Sequence, residues 1–418
     1  MNVHIEVNVS NKNTGGFVMK HDFDQVISRY NTDSVKWDKT EKLFGDKDIL
    51  PMWIADMDFA CPQPVVDAMK ERAEHGIFGY TSRSTDYFAA FIDWVERRHN
   101  WTVKKQWIRC TPGIMTALSI TVQTFTNEKD KIIIQTPVYT PFTEVIEKNN
   151  RKLVLNPLKL ENGKYEMDYE NLEKIAADAD VKMIILCNPH NPVGRVWKKE
   201  ELRKLGQICM ENNVLVISDE AHFDIVYKGY THTPFASISE EFADNSITCT
   251  APSKTFNLAG VQMANIIIPN KELRNAFTNR IDQLYLGLSN TFGVTAVENA
   301  YKYGEEWFEQ FLNYLEGNLA ILNEFIETNL KEIKVIPPEG TYLVWLDCRG
   351  LGMDAKTLEE FFHKKAKIAF DEGYTFGAGG EGFTRVNIAC PRDILEEGLK
   401  RMERAVKVSL IGVGEGIK

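Results

Sequence analysis

No apolar run in this 418-residue sequence reaches the roughly 18–20 residues that a membrane-spanning helix needs, and no apolar signal core opens the chain. No membrane partner is expected, and the natural compartment is the cytoplasm. Cysteine is sparse: seven residues, at 61, 110, 187, 209, 249, 348 and 390, never fall in a Cys-x-x-Cys spacing. Such an odd, scattered set supports neither a disulfide framework nor a zinc site, so reduced thiols and no metal are expected. Excess positive charge is also missing, since 49 Lys and Arg face 59 Asp and Glu for a formal net charge of −10. That removes the electrostatic basis for a nucleic-acid partner. Internal repeats, low-complexity tracts and long Gly/Ser linkers are absent as well.

What remains is an ordinary globular composition, 44% hydrophobic and 26% charged, long enough to bury a large core in two closely packed domains. From about residue 107 to 269, short apolar runs alternate with amphipathic ones, the pattern of strands and helices taking turns around a mostly parallel sheet. Strands are predicted at 131–135, 181–187, 214–218, 246–250 and 262–268. Helices are predicted at 198–212, at 85–99 with Phe88, Phe91, Ile92 and Val95 on one stripe, and at 305–330. A smaller C-terminal domain follows. Residues 1–18 are polar and read as a flexible extension.

Lys254 lies in Thr250-Ala-Pro-Ser-Lys-Thr-Phe-Asn-Leu-Ala-Gly260, downstream of the strand-like Val214-Leu-Val-Ile-Ser-Asp-Glu-Ala-His222. A lysine able to form a Schiff base with pyridoxal phosphate, and a carboxylate able to face its protonated pyridine nitrogen, are the two groups that this cofactor requires. Lys254 and Asp219 are the candidates. Asp219 closes a predicted strand, where open α/β sheets gather their ligands. A helix start after Cys110-Thr-Pro places the backbone amides around Gly113, Ile114 and Met115 where the helix dipole favours an anion.

Seven phrases carry a resemblance: Pro51-Met-Trp-Ile-Ala-Asp-Met-Asp-Phe59, Phe78-Gly-Tyr80, Pro137-Val-Tyr139, Asn188-Pro-His-Asn-Pro-Val-Gly194, Ser218-Asp-Glu-Ala-His222, Ser253-Lys-Thr-Phe-Asn257 and Arg385-Val-Asn-Ile-Ala-Cys-Pro391. In this order the chain resembles the fold-type-I pyridoxal-phosphate enzymes of the class I/II aminotransferase superfamily. Within them it is similar to the carbon–sulfur β-lyases, the cystathionine β-lyases of the MalY/PatB type. The resemblance runs from about Met19 onward. It implies an α/β fold, the PLP-transferase fold type I, with a large domain built on a mostly parallel central sheet plus a smaller α+β domain. The implied boundaries are an N-terminal arm with part of the small domain at 19–65, the large PLP-binding domain at 66–300 and the small C-terminal domain at 301–418.

The resemblance also assigns roles. Lys254 becomes the Schiff-base lysine and the base for the substrate α-proton, Asp219 the partner of the pyridine nitrogen, and His222 a neighbour of the ring hydroxyl. Asn191 donates to the cofactor's phenolic oxygen on the substrate side, and Tyr139 stacks on the ring as part of the catalytic set. Gly113, Ile114, Met115 and Ser253 hold the phosphate, although the family's serine three residues before the lysine is Ala251 here. Tyr80 reaches the phosphate and substrate from a neighbouring subunit, which implies a homodimer with shared sites. Arg385 clamps the substrate α-carboxylate in a bidentate fork. Thr140 departs from relatives that often carry a second tyrosine there. Trp53, Asp56 and Asp58 fall in the segment lining the entrance, where packing is the expected role for most of them.

The implied reaction is α,β-elimination from L-cystathionine, L-cysteine or a cysteine S-conjugate, giving a thiol, pyruvate and ammonia, a step in amino-acid metabolism. A dicarboxylic substrate fits poorly, because Tyr285 stands where dicarboxylate transaminases usually place an arginine before the Leu288-Ser-Asn290 turn. Two other readings stay open: an aminotransferase for an aromatic or apolar amino acid, and a regulatory protein that binds the cofactor and acts through a partner.

Overall fold

Short runs rich in branched residues between 108 and 267 pair into one seven-stranded sheet. The computed structural model describes residues 21–414, with side chains through residue 409; the extension expected at 1–18 lies outside the described residues. The strands are β1 (Ile108–Thr111), β2 (Lys131–Ile134), β3 (Lys152–Leu155), β4 (Val181–Cys187), β5 (Leu215–Asp219), β6 (Ser246–Thr250) and β7 (Ala264–Ile267). Their order is β1-β7-β6-β5-β4-β2-β3. Pairings from β3 through β6 are parallel, while β7 runs antiparallel to both β6 and β1. The sheet is therefore mostly parallel, and every strand but β7 ends at the same edge.

Every residue of β6 and β7 is buried, as expected of strands covered on both faces. The five strands predicted from sequence are present. β1 and β3 are additional: each has four residues, and β3 is a half-exposed edge strand without a continuous buried run.

Helices pack on this frame: α1 (Thr85–His99), α2 (Ile114–Phe125), α3 (Lys199–Glu211), the single turn α4 (Pro252–Thr255), α5 (Glu305–Asn329) and α6 (Arg392–Gly414). In α1 the Ser84 hydroxyl accepts from Tyr87 N at 2.8 Å, and Arg97, Arg98 and His99 in the last turn complement the helix dipole. Its fully buried stripe is Tyr87, Phe91, Trp94 and Val95, whereas Phe88 and Ile92 are only partly buried. The stripe is rotated from the expected one because both added rings find partners for their polar tips. Tyr87 donates to Asn265 at 2.8 Å and Trp94 to Asp224 at 3.0 Å.

A second, antiparallel sheet of β8 (Lys334–Ile336), β9 (Leu343–Asp347), β10 (Asp371–Glu372) and β11 (Phe383–Asn387) has the order β8-β9-β11-β10. The N-terminal segment is strapped across it. Leu50–Pro51 pairs in parallel with Ile368–Ala369, and the Asn387 side chain donates to the carbonyls of Ile54 and Asp56 at 2.8 and 2.6 Å. Among the described residues no helix is long and apolar enough to cross a membrane.

The strap is anchored by a buried ion cluster, so packing is indeed the role of Asp58. Its carboxylate meets Lys36 Nζ at 2.6 Å, Arg29 Nη1 at 2.8 Å and Trp37 Nε1 at 2.8 Å, and Lys36 is only 1% exposed. Burial by itself would raise the Asp58 pKa, but Lys36, Trp37 and Arg29 outweigh it and hold the carboxyl below the ordinary carboxylate range. Asp58→Ala leaves the buried Lys36 ammonium with only the more distant Asp56 carboxylate, at 3.9 Å, as a counter-charge. Urea unfolding should show a loss of about 3–5 kcal/mol. Because the folded pKa lies below the unfolded one, the wild-type contribution is fully present above about pH 4 and is lost as pH falls through the folded value.

Candidate active site

The chain ends of five strands converge at the C-terminal edge of the seven-stranded sheet. β5 ends at Asp219, directly across from Cys187 at the end of β4. β6 ends at Thr250, and the chain turns through Ala251 into α4, which carries Ser253 and Lys254. β1 runs into Gly113, whose φ of +86° is a glycine conformation, and α2 then opens with Ile114 and Met115. Tyr139 follows β2, and Asn191 follows β4. Together Ile114, Met115, Tyr139, Asn191, Asp219, His222, Ser253 and Lys254 line one cleft, with Ala55, Cys187 and Ala251 filling in between them.

Burial governs the electrostatics of this cleft. Lys254 Nζ donates to the Ala55 carbonyl at 2.6 Å, and burial, aided by the Arg385 charge, brings its pKa down to about 8. Burial likewise pushes Asp219 up to about 7, against a hydrogen bond from Ala221 N at 3.0 Å and the Lys254 charge. His222 is held well below its ordinary value by burial, then by Lys254 and Arg385. It is therefore neutral, and its buried Nδ1 has no hydrogen-bond partner in the protein. Tyr342 packs edge-on against the His222 ring at 5.4 Å.

Arg385 lies on β11 beside the cleft. Its Nη1 donates to Asn191 Oδ1 at 2.9 Å, its Nη2 donates to the Trp53 carbonyl at 3.1 Å and pairs with Asp371, and the Phe376 ring lies 5.0 Å from the guanidinium. A guanidinium can only donate, so the Asn191 carbonyl oxygen must face it. The Asn191 Nδ2 amide is left as the donor available to the cleft.

These groups fit pyridoxal phosphate. The N-terminus of α2 has no side-chain cap and no acidic residue in its first turn, so its amides can receive a phosphate. Asp219 is a buried carboxylate with a single backbone donor, suited to a protonated ring nitrogen. Lys254 can reach the cofactor's carbonyl carbon, Tyr139 can cover a ring face, and Asn191 and the unpartnered His222 nitrogen can meet a ring oxygen. Gly113 stands just outside the lining as the residue that opens α2. Tyr80 is not in this cleft: it is 96% exposed, on a loop bridged to a second loop by Thr81 and Ser289.

Other participants had no motif to announce them. The Ala55 carbonyl also accepts from Tyr342 at 2.9 Å, so the N-terminal strap supplies part of the floor. Asp224 accepts from Trp94, His99 and Thr255, at 2.6 Å from Thr255, the neighbour of Lys254. Glu220 accepts from Ser218, His232 and the Phe235 amide. Strand alternation turns Ser218 and Glu220 away from the side of Asp219, so the run from 218 to 224 serves the cleft and its support together. Asp371 is set beside Arg385 only by the register of β10 on β11.

Comparison with known proteins agrees with this geometry. The family description "Aminotransferase class I and II" matches residues 47–402. Over 384 residues the chain is 46% identical to the cystathionine beta-lyase PatB of Bacillus subtilis (strain 168), covering 92% of this chain and 99% of that protein. Among solved structures, cystalysin from Treponema denticola, which contains a pyridoxal 5′-phosphate cofactor, superposes with a TM-score of 0.90 at 42% identity, over 93% of this chain and 99% of that one. The PLP-bound C-S lyase from Staphylococcus hominis gives 0.88 at 36% identity, over 94% and 100%. With a lysine, a buried carboxylate and an arginine gathered at the edge of a mostly parallel sheet, and a match spanning most of its length, the chain belongs to the class I and II aminotransferase family.

Proposed function

We propose that this protein is a pyridoxal-phosphate-dependent carbon–sulfur β-lyase, which cleaves L-cystathionine or a related cysteine S-conjugate to a thiol, pyruvate and ammonia. The observation that carries the reading is the meeting of Lys254, Asp219 and Arg385 around one cleft in a chain 46% identical to a cystathionine beta-lyase. When bound, the cofactor supplies an electron sink for the charge left at Cα. The chain supplies the rest. Lys254 holds the cofactor and then acts as the base at Cα, its lowered pKa providing free amine near neutrality. Asp219 would keep a proton on the ring nitrogen, Tyr139 would cover the ring and exclude water, and Asn191 would donate to a ring oxygen beside His222. The amides of Ile114 and Met115, with Gly113 and Ser253, hold the phosphate. Arg385 would hold the α-carboxylate and so fix the orientation of the substrate at Cα.

We also infer a homodimer in which Tyr80 reaches the partner's site. Supporting it, Ile77, Phe78, Tyr80, Tyr285 and Leu288 are exposed large apolar groups on two adjoining loops. The division into 19–65, 66–300 and 301–418 belongs to the same reading, supported by the confinement of one sheet to residues 108–267 and the other to 334–387. A cytoplasmic site accords with seven unpaired cysteines, six of them buried.

Incubating the reconstituted protein with L-cystathionine and no keto acid should yield sustained, equimolar pyruvate and homocysteine, and Lys254→Ala should abolish both. A single turnover that resumes only when a keto acid is added would instead make it a transaminase. In the cofactor-free protein, labelling of Lys254 by an amine-reactive reagent should rise with pH around a midpoint near about 8. Arg385→Gln removes a neighbouring positive charge and should move that midpoint upward, read by peptide mass spectrometry.

A further inference from the structure

A guanidinium has five N–H groups, and three of those on Arg385 are engaged. One Nη1 hydrogen goes to Asn191 Oδ1, and the two Nη2 hydrogens go to the Trp53 carbonyl and the Asp371 carboxylate. The buried Nε has no partner in the protein. A carboxylate can grip a guanidinium two-handed either end-on, through Nη1 and Nη2, or side-on, through Nε and Nη2. Both grips require Nη2, which has no hydrogen to spare. A substrate carboxylate must therefore displace one of the two acceptors already there.

The two acceptors differ in their freedom to leave. The Trp53 carbonyl belongs to backbone pinned on both sides, by Met52 N on the Ala369 carbonyl at 2.9 Å and by Asn387 Nδ2 on the Ile54 carbonyl at 2.8 Å. Asp371 has a fixed backbone as well, held across from Arg385 in the strand register and by Thr384 Oγ1 on its carbonyl at 3.1 Å. Its carboxylate, however, swings on side-chain torsions, and the side chain is 22% exposed, so that a displaced carboxylate reaches water.

Resting on the reading that Arg385 receives the substrate α-carboxylate, we propose that Asp371 is a resident competitor for that carboxylate: it occupies Arg385 Nη2 in the empty site, yields on binding, and thereby sets the affinity for amino-acid substrates. Arg385 does not need Asp371 for its aim, since Asn191, the Trp53 carbonyl and the Phe376 ring position it independently. The ordinary expectation for an ion-pair partner, that its removal weakens the site, is thus reversed here.

The titration of Asp371 points the same way. Burial raises its pKa to about 6 despite Arg385, so that as pH falls below this value the carboxyl takes a proton, its hold on Nη2 weakens and the competitor retires. The charged and titratable groups around it are Arg385, the adjoining Glu372 with His363 at 2.7 Å, and Tyr139.

The test uses holoenzyme and propionate, a carboxylate with neither amine nor leaving group, with binding read by calorimetry, alongside kcat and KM for L-cystathionine. Asp371→Asn keeps the volume and replaces a charge-assisted acceptor with a neutral one. It should tighten propionate binding about tenfold and lower KM to match, with kcat unchanged, because ground state and transition state gain alike. Propionate affinity, expressed per propionate anion so that the ligand's own ionisation is removed, should fall between pH 5 and 7 in the wild type and stay level in Asp371→Asn. Asp371→Ser, which shortens the side chain, should behave in the same way. Unchanged or weaker binding in both variants overturns the proposal and leaves Asp371 as a support for Arg385. A pH dependence that persists in Asp371→Asn overturns it too, because the titrating group is then not Asp371. If Arg385→Gln leaves propionate binding unaltered, the reading of Arg385 as the carboxylate site is what fails, and the proposal goes with it.

Discussion

Asp219 is buried at the end of β5 with one backbone N–H and the nearby Lys254 charge to offset its loss of water. A buried carboxylate must find positive charge and donors or give up its own charge, and this constraint orders the rest of the structure. Asp58 has Lys36, Arg29 and Trp37, and stays ionised. Asp224 is pressed upward by burial yet held low by His99, Arg98 and Thr255. Asp371, with Arg385 alone as counter-charge, rises to about 6, and Asp219 to about 7. Full compensation coincides with support, and partial compensation coincides with the cleft. A ring nitrogen that carries a proton is the partner that would complete Asp219.

The edge of the sheet makes this placement possible. Parallel pairing from β3 to β6 sends the strand ends in one direction, so the loops that follow must share one rim. A lysine after β6, an asparagine after β4, a tyrosine after β2 and a helix start after β1 are thereby neighbours, though distant in the chain. The second sheet then delivers Arg385 across 194 residues to Asn191. The strap at 50–58 closes the floor with carbonyls rather than side chains, which accept from Lys254, Tyr342 and Arg385. Backbone acceptors of this kind hold a cation in place without adding a formal charge.

Much of this was legible beforehand, and the exceptions have physical causes. The apolar runs at 131–134 and 181–187 could be read as covered strands because burial on both faces favours nearly continuous branched apolar residues, while 246–250, which alternates Ser and Thr with Ile and Cys, was legible through its β-branched residues. β3 could not, because an edge strand of four residues is exposed in part. Phe88 and Ile92 were expected in the core of α1 in place of Tyr87 and Trp94, since a hydrophobic stripe cannot foresee that Asn265 and Asp224 will satisfy a phenol and an indole. Lys254 and Asp219 were readable from their own chemistry, a lysine able to form a Schiff base and a strand-end carboxylate, whereas Asn191 and Tyr139 were named only because their phrases resemble those of a known family.

The sequence by itself determined the mostly parallel sheet and the cofactor that its lysine and strand-end carboxylate can serve. These follow from periodicity and from the chemistry of single residues, which are local properties. Only the tertiary structure decided that Asn191 turns its oxygen to Arg385, that the Ala55 carbonyl receives Lys254, and that Asp371 stands at Arg385 Nη2. Each of these depends on two segments more than ten residues apart meeting at a particular register. Solvent exclusion then makes the meeting count, by shifting the acidity of Lys254, Asp219 and Asp371 as no isolated segment could.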